Sequence, residues 1–116
     1  MYEFGAVVLT RFPFTDLSGE KRRPALVVSR DNGRRDDVIL CFITSVPRSG
    51  PETGLLPATA GTGLKVPSVV RFDKVATLEM SVVAGRLGSA PEDWLRAHAA
   101  TFFGVFGFGA PPDRQP

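Results

Sequence analysis

The sequence contains one cysteine, Cys41, and one histidine, His98. A lone cysteine excludes an internal disulfide, and one residue of each kind excludes a Cys/His metal site within the chain. Two-histidine acid–base catalysis within the chain is excluded with it. No run of about 18 apolar residues occurs, so no membrane-spanning helix is expected. The first fourteen residues place an acid before a short apolar run and offer no small-residue cleavage site. No signal peptide is therefore expected, and a reducing cytoplasm is the expected compartment. A Gly-rich phosphate loop of the Walker or dinucleotide type is missing as well. Charge of one sign does not dominate: 14 Lys+Arg against 12 Asp+Glu leave a net charge of +2. That balance permits a nucleic-acid partner without demanding one.

What is present is enough for one small core. The chain has 116 residues, 43% hydrophobic and 22% charged, which is ordinary for a single globular domain. The domain is expected over residues 1–109, with a flexible tail over 110–116. Glycine (12) and proline (10) punctuate short β-type runs. Strands are expected at Ala6–Arg11, Ala25–Arg30 and Val38–Thr44, the last apolar on both faces as a central strand would be. Asp31-Asn32-Gly33 predicts a tight turn between the second and third. A long Pro/Gly loop over Val46–Gly63 holds a brief strand at Gly54–Leu56. Ser68–Glu79 reads as a strand bent near its middle, and Val82–Leu87 as a short one. Ser89-Ala90-Pro91-Glu92 has the form of a capping box, with Ser89 as cap. Leu95, Ala99, Phe102, Phe103 and Phe106 follow at helical spacing, and His98 lies at the edge of that stripe. The expected fold is mostly β, mainly antiparallel, with a C-terminal helix.

Three clusters could carry chemistry. In Lys21-Arg22-Arg23-Pro24, the proline biases Arg23 toward an extended backbone and holds its guanidinium in a defined direction, a fork suited to phosphate. The same run would also serve as a solvated basic loop. In Val70-Arg71-Phe72-Asp73, strand alternation sends Val70 and Phe72 inward and puts Arg71 and Asp73 on one outer face. There they are either a plain surface ion pair or a phosphate-binding cation beside a proton acceptor. Thr44 and Ser45 end a buried strand, where their hydroxyls either begin a turn or donate to a phosphate oxygen. Phe12 and Phe14, near the basic run, are either core residues or platforms for a stacked base.

Taken in order, the segments Gly5–Leu9, Phe12–Thr15, Lys21–Ser29, Cys41–Ser45 and Gly63–Asp73 resemble the MazF/PemK/Kid family of toxins from type II toxin–antitoxin systems. The resemblance runs from about Gly5 to Gly88. It implies a small SH3-like barrel of the MazF/Kid/CcdB type, working as a homodimer. It also implies a metal-independent, cofactor-free endoribonuclease that cuts single-stranded mRNA and is neutralised by a cognate antitoxin, through which operator DNA could be bound. The family's catalytic positions fall on Arg23, Thr44, Arg71 and Asp73, with Lys21, Arg22, Ser45, Lys65 and Ser68 as RNA-binding residues. The chain departs from the family in its first loop, Thr15–Glu20, which is short and lacks a histidine, so Glu20 receives no role. Two other readings share the fold: a CcdB-like inhibitor of gyrase without catalysis, and a cleavage-dead member that only binds RNA or antitoxin.

Overall fold

The strands follow from alternation of apolar and polar residues between Gly, Pro and Asn punctuation. A computed structural model describes residues 2–11 and 22–109. The expectations for Phe12, Phe14, Glu20, Lys21 and the 110–116 tail lie outside the described residues. Ala6–Arg11 forms β1, Arg22–Val27 β2, Asp37–Thr44 β3, Thr53–Leu56 β4, Ser68–Glu79 β5 and Val83–Ser89 β6, and Glu92–Phe103 forms helix α1. The six strands make one sheet in the order β4-β5-β3-β2-β1-β6, and every pairing is antiparallel. No helix among the described residues is long and apolar enough to cross a membrane.

Both sheet faces are apolar through the middle. Val7, Leu26, Cys41, Ile43 and Val70 share a cluster with Phe72 and Leu56, against which Trp94, Leu95 and Phe102 of α1 pack. Ala6, Val8, Ala25, Val27 and Leu40 form a second cluster, covered by Tyr2, Phe42, Leu78 and Val83. β3 contributes to both, as its unbroken apolar run predicts.

The sheet closes where the loop after β4 meets the end of β6. The Ser89 N–H donates to the Gly61 carbonyl at 2.8 Å. A Cβ on Gly88 would stand 2.2 Å from the Gly61 oxygen, and one on Gly63 (φ +73°) 2.2 Å from the Leu87 oxygen. Backbone therefore lies directly on backbone, which only glycine permits. The fully buried Thr62 hydroxyl donates to the Pro57 carbonyl at 2.8 Å and accepts the Thr59 N–H at 3.1 Å, fixing the loop between them.

Several boundaries differ from expectation, each for a local reason. β2 begins at Arg22 rather than Ala25, because Arg22, Arg23 and Pro24 pair with β1 while the ladder to β3 starts at Ala25. Pro24, without an N–H, is tolerated where β2 is paired on one side only. Asp31-Asn32-Gly33 is not a two-residue hairpin turn. It lies inside a longer connection over residues 28–36, where Gly33 takes φ +75° and its N–H meets the Asp31 carboxylate at 2.9 Å. The capping box does not form: Ser89 belongs to β6, the cap position is Pro91, and no side chain caps the helix. The bend in β5 is a register slip, with Cys41 opposite Val75 and Phe42 opposite Arg71.

The closure generates a stability test. Gly88→Ala should cost at least about 2 kcal/mol by forcing two backbones apart. Gly85→Ala, whose Cβ would meet nothing within 4 Å on the same strand, should fall within about 0.5 kcal/mol of the parent. Urea unfolding of the pair reads the difference, and equal midpoints would show that the contact is not tight.

Candidate active site

The β2–β3 ladder stops at Ala25 and Phe42, and beyond it the two strands diverge. Continuing that register would set Arg23 opposite Thr44, so the gap between strand ends is bounded by the Arg-Pro entry of β2 and the hydroxyl end of β3. Two clefts open there. The larger, about 400 Å³, is walled by Leu9, Pro24, Leu64, Val66 and Leu87 and edged by Arg22, Arg23, Thr44, Ser45, Lys65 and Ser68. The smaller, about 180 Å³, is lined by Arg23, Phe42, Ile43, Thr44, Arg48, Arg71 and Lys74. Arg23 and Thr44 line both and form the ridge between them.

Each side chain is placed by its backbone. The Thr44 hydroxyl oxygen accepts the Val46 N–H at 3.1 Å, so it does begin the turn. That acceptor role leaves its own proton for another oxygen. Ser68, nearly buried, donates to the Val66 carbonyl at 2.9 Å and so ties the 63–67 segment to β5, leaving its oxygen as an acceptor. Arg71 and Asp73 share the outer face as alternation requires, while Val70 and Phe72 are buried. The guanidinium grips the carboxylate with both arms, Nε to Oδ1 at 3.1 Å and Nη2 to Oδ2 at 2.6 Å. This fork holds the Asp73 carboxyl below its ordinary value of 3.8, and the Lys74 charge adds to the effect. Asp73 lines neither cleft and reaches the smaller one through Arg71.

Arg48 and Lys74 were not singled out by sequence reasoning. Arg48 sits in the Pro/Gly loop after β3, and Lys74 on the slipped segment of β5, so neither belongs to a motif with a fixed spacing. Their one signal is that each follows a candidate cluster by one to four residues. Among the described residues, no carboxylate pairs with Arg23, Arg48 or Lys74.

Other groups are set for packing. Burial pushes the Cys41 thiol up to about 12, so it stays protonated and unreactive. His98 stacks on Trp94 with ring centroids 4.1 Å apart, and its Nδ1 lies 2.8 Å from the Trp94 carbonyl. It closes an aromatic cluster around Phe72, far in kind from an acid–base site. A mostly apolar cavity of about 370 Å³ beside it is a gap between α1 and the sheet. Among the described residues no three His, Cys, Asp or Glu side chains come together.

Residues 3–102 match the family model described as the PemK-like, MazF-like toxin of type II toxin–antitoxin systems. Among solved structures, a MazE–MazF complex (Form-III) from Deinococcus radiodurans is 30% identical, with 91% of this chain and 96% of that chain covered and a TM-score of 0.73. A mycobacterial endoribonuclease in complex with its cognate antitoxin is 20% identical, with 96% and 100% covered and a TM-score of 0.76. The Mycobacterium tuberculosis toxin MazF-mt6 is 21% identical, with 87% and 95% covered and a TM-score of 0.73. The last two identities carry the fold only. No curated protein sequence matches the chain.

The fork on Asp73 has a pH signature. A carboxyl held below its ordinary value stabilises the fold above the ordinary range, and that contribution disappears as pH falls through the depressed value. A carbon-detected NMR titration should place the Asp73 midpoint below 3.8, and Arg71→Gln should move it back toward 3.8. A midpoint that does not respond to Arg71→Gln would assign the depression to another cause.

Proposed function

The chain belongs to the PemK-like, MazF-like toxin family of type II toxin–antitoxin systems, and we propose that it is a metal-independent endoribonuclease that cuts single-stranded mRNA. The observation that carries this reading is the ridge between the clefts, where Arg23 and Thr44 line both spaces and bring a guanidinium and a hydroxyl to their shared edge. A phosphodiester laid across that ridge meets donors from two strands at once, and charge developing on its oxygens is stabilised without reorganisation.

The reaction uses the RNA's own 2′-hydroxyl. The 2′-oxygen attacks phosphorus and loses its proton to Asp73, which the Arg71 fork keeps ionised at neutral pH. Arg23 and Arg71 offset the charge of the phosphorane, and Thr44 donates to one of its oxygens. The bond to the 5′-oxygen breaks, and that oxygen takes a proton from water. The products are a 2′,3′-cyclic phosphate and a 5′-hydroxyl. Arginine serves as a charge and not as the acid, because a guanidinium does not release its proton in a protein. The larger cleft offers apolar walls to a base, with Arg22, Ser45, Lys65 and Ser68 at its polar rim. A single strand is required, since an A-form duplex hides base edges and restricts in-line geometry.

The partners follow the same reading. A cognate antitoxin binds over this cationic surface and abolishes cleavage, operator DNA is reached through the antitoxin, and the pair works in the cytoplasm. Phe103 (62% exposed) and Phe106 (39%) leave apolar surface at the end of α1, which supports a homodimer.

Incubation of the pure protein with a long single-stranded RNA in EDTA, followed by end mapping, tests the central reading. Cyclic-phosphate and 5′-hydroxyl ends support it, and intact RNA in the absence of antitoxin refutes it. Arg23→Ala should lose most of the cleavage with the fold retained, and Lys at this site should restore little, because a point charge cannot reproduce a fork. Thr44→Val should lose roughly 10²-fold in rate and, with the acceptor of the Val46 N–H gone, about 1 kcal/mol of stability while still folding. A variant at Arg23 cutting within about twofold of the parent would remove that residue from the site.

A further inference from the structure

The smaller cleft has a composition that the cutting step alone does not need. Arg23, Arg48, Arg71 and Lys74 line a space of about 180 Å³, and among the described residues Asp73 is the carboxylate that meets this group, through Arg71. One phosphodiester at the ridge uses Arg23 and Arg71 and leaves Arg48 and Lys74 unassigned. Both come from segments beyond the ridge, Arg48 from the loop after β3 and Lys74 from the slipped stretch of β5, and among the described residues neither pairs with a carboxylate. The space is less than half that of the larger cleft and has one aromatic wall, Phe42. Four cationic side chains share this small space with Phe42, Ile43 and Thr44, and that density of charge suits a phosphate better than a base.

Resting on the proposed RNA cleavage, we infer that Arg48 and Lys74 bind the phosphate next to the scissile one, so that the site grips at least two consecutive phosphates of a single strand. The scissile phosphate sits on the Arg23–Thr44 ridge, the base beside it enters the larger cleft, and the backbone leaves through the smaller one. The two cations do not touch the reacting atoms. They fix the direction in which the strand crosses the ridge and raise affinity without reading sequence. An acidic protein segment would meet the same cations. RNA is favoured because Arg48 and Lys74 share the small cleft with both ridge residues, Arg23 and Thr44, which donate to the reacting phosphate.

The test is a salt titration of binding to a 2′-O-methyl oligouridylate, which cannot be cut. Each phosphate contact on a single strand contributes about 0.7 to the slope of log affinity against log salt. Arg48→Ala and Lys74→Ala should each lower that slope, together by about 0.7 in the double variant, which should bind roughly tenfold more weakly at low salt whatever the base sequence. Arg48→Lys should keep the slope, and Arg96→Ala on the far helix should change nothing. Unchanged slopes in both alanine variants overturn the inference while leaving the cleavage reading intact. A lowered slope in a protein that leaves long RNA uncut supports this phosphate seat and overturns cleavage instead. A parent that fails to bind the oligonucleotide overturns both. Polyglutamate provides the remaining arm: if the variants lose affinity for it and none for RNA, the cleft docks an acidic protein segment and the inference fails.

Discussion

The molecule depends on one close approach, the contact of backbone with backbone where Gly61–Gly63 meets Leu87–Ser89. The sheet is linear in its hydrogen bonding, from β4 at one end to β6 at the other. It becomes a barrel because the loop after β4 lies on the end of β6 with no side chain between them. Gly63 and Gly88 remove the Cβ atoms that would hold the segments apart, and the Thr62 hydroxyl inside the loop satisfies groups that closure buries. The same approach makes the larger cleft, since Gly63, Leu64 and Lys65 form one wall and Leu87 another. Stability and site geometry are thus set by a single contact.

A second constraint sits on the opposite side of the ridge. Between Cys41 and Phe42 the β3–β5 register jumps, so that β5 carries Phe72, Asp73 and Lys74 through the slip. Phe72 turns inward and anchors the aromatic cluster under α1, with Trp94, His98 and Phe102 each 6.1 Å from it, centroid to centroid. Arg71 before it and Lys74 after it line the smaller cleft. Helix packing and cleft charge are therefore coupled through one bulge, a common device for re-aiming side chains beside a site. The helix itself is held by few groups, notably the Trp94 indole N–H donating to the Leu55 carbonyl at 2.7 Å.

The legible parts of the sequence were those governed by periodicity. β1 was readable to the residue, β3 to within one, and so was the full span of β5 with its bend, because alternation and an unbroken apolar run leave little choice. The face shared by Arg71 and Asp73 followed from the same rule. What failed was punctuation. Pro24 read as a strand entrance, yet a strand paired on one side only tolerates it. Ser89 read as a helix cap, yet its N–H was already used in closing the barrel, a long-range bond with no local trace. Arg48 and Lys74 were missed because a loop residue and a bulge residue meet only in three dimensions. The ordered motifs indicated the family, and the fold and family model agree with it.

For the proposed cleavage, the composition of the site sets what kind of catalyst this is. Around the ridge stand guanidinium groups, the ammonium groups of Lys65 and Lys74, hydroxyls and, beside Arg71, one carboxylate held below its ordinary range. No histidine lines either cleft. A well-matched acid–base pair contributes about 10²- to 10⁴-fold to a rate, and this site gives up much of that. The fork that keeps Asp73 ionised also makes it a weaker base, so the interaction that fixes Arg71 for the phosphorane costs proton transfer at the 2′-hydroxyl. What the site retains is fixed charge and fixed direction. Selectivity among RNAs then has to arise where the strand is held, in the base-sized cleft on one side of Arg23 and Thr44 and the cationic cleft on the other. A slow cutter of this design gains from every contact that keeps the strand in line, since positioning is the part of catalysis that its residues supply best.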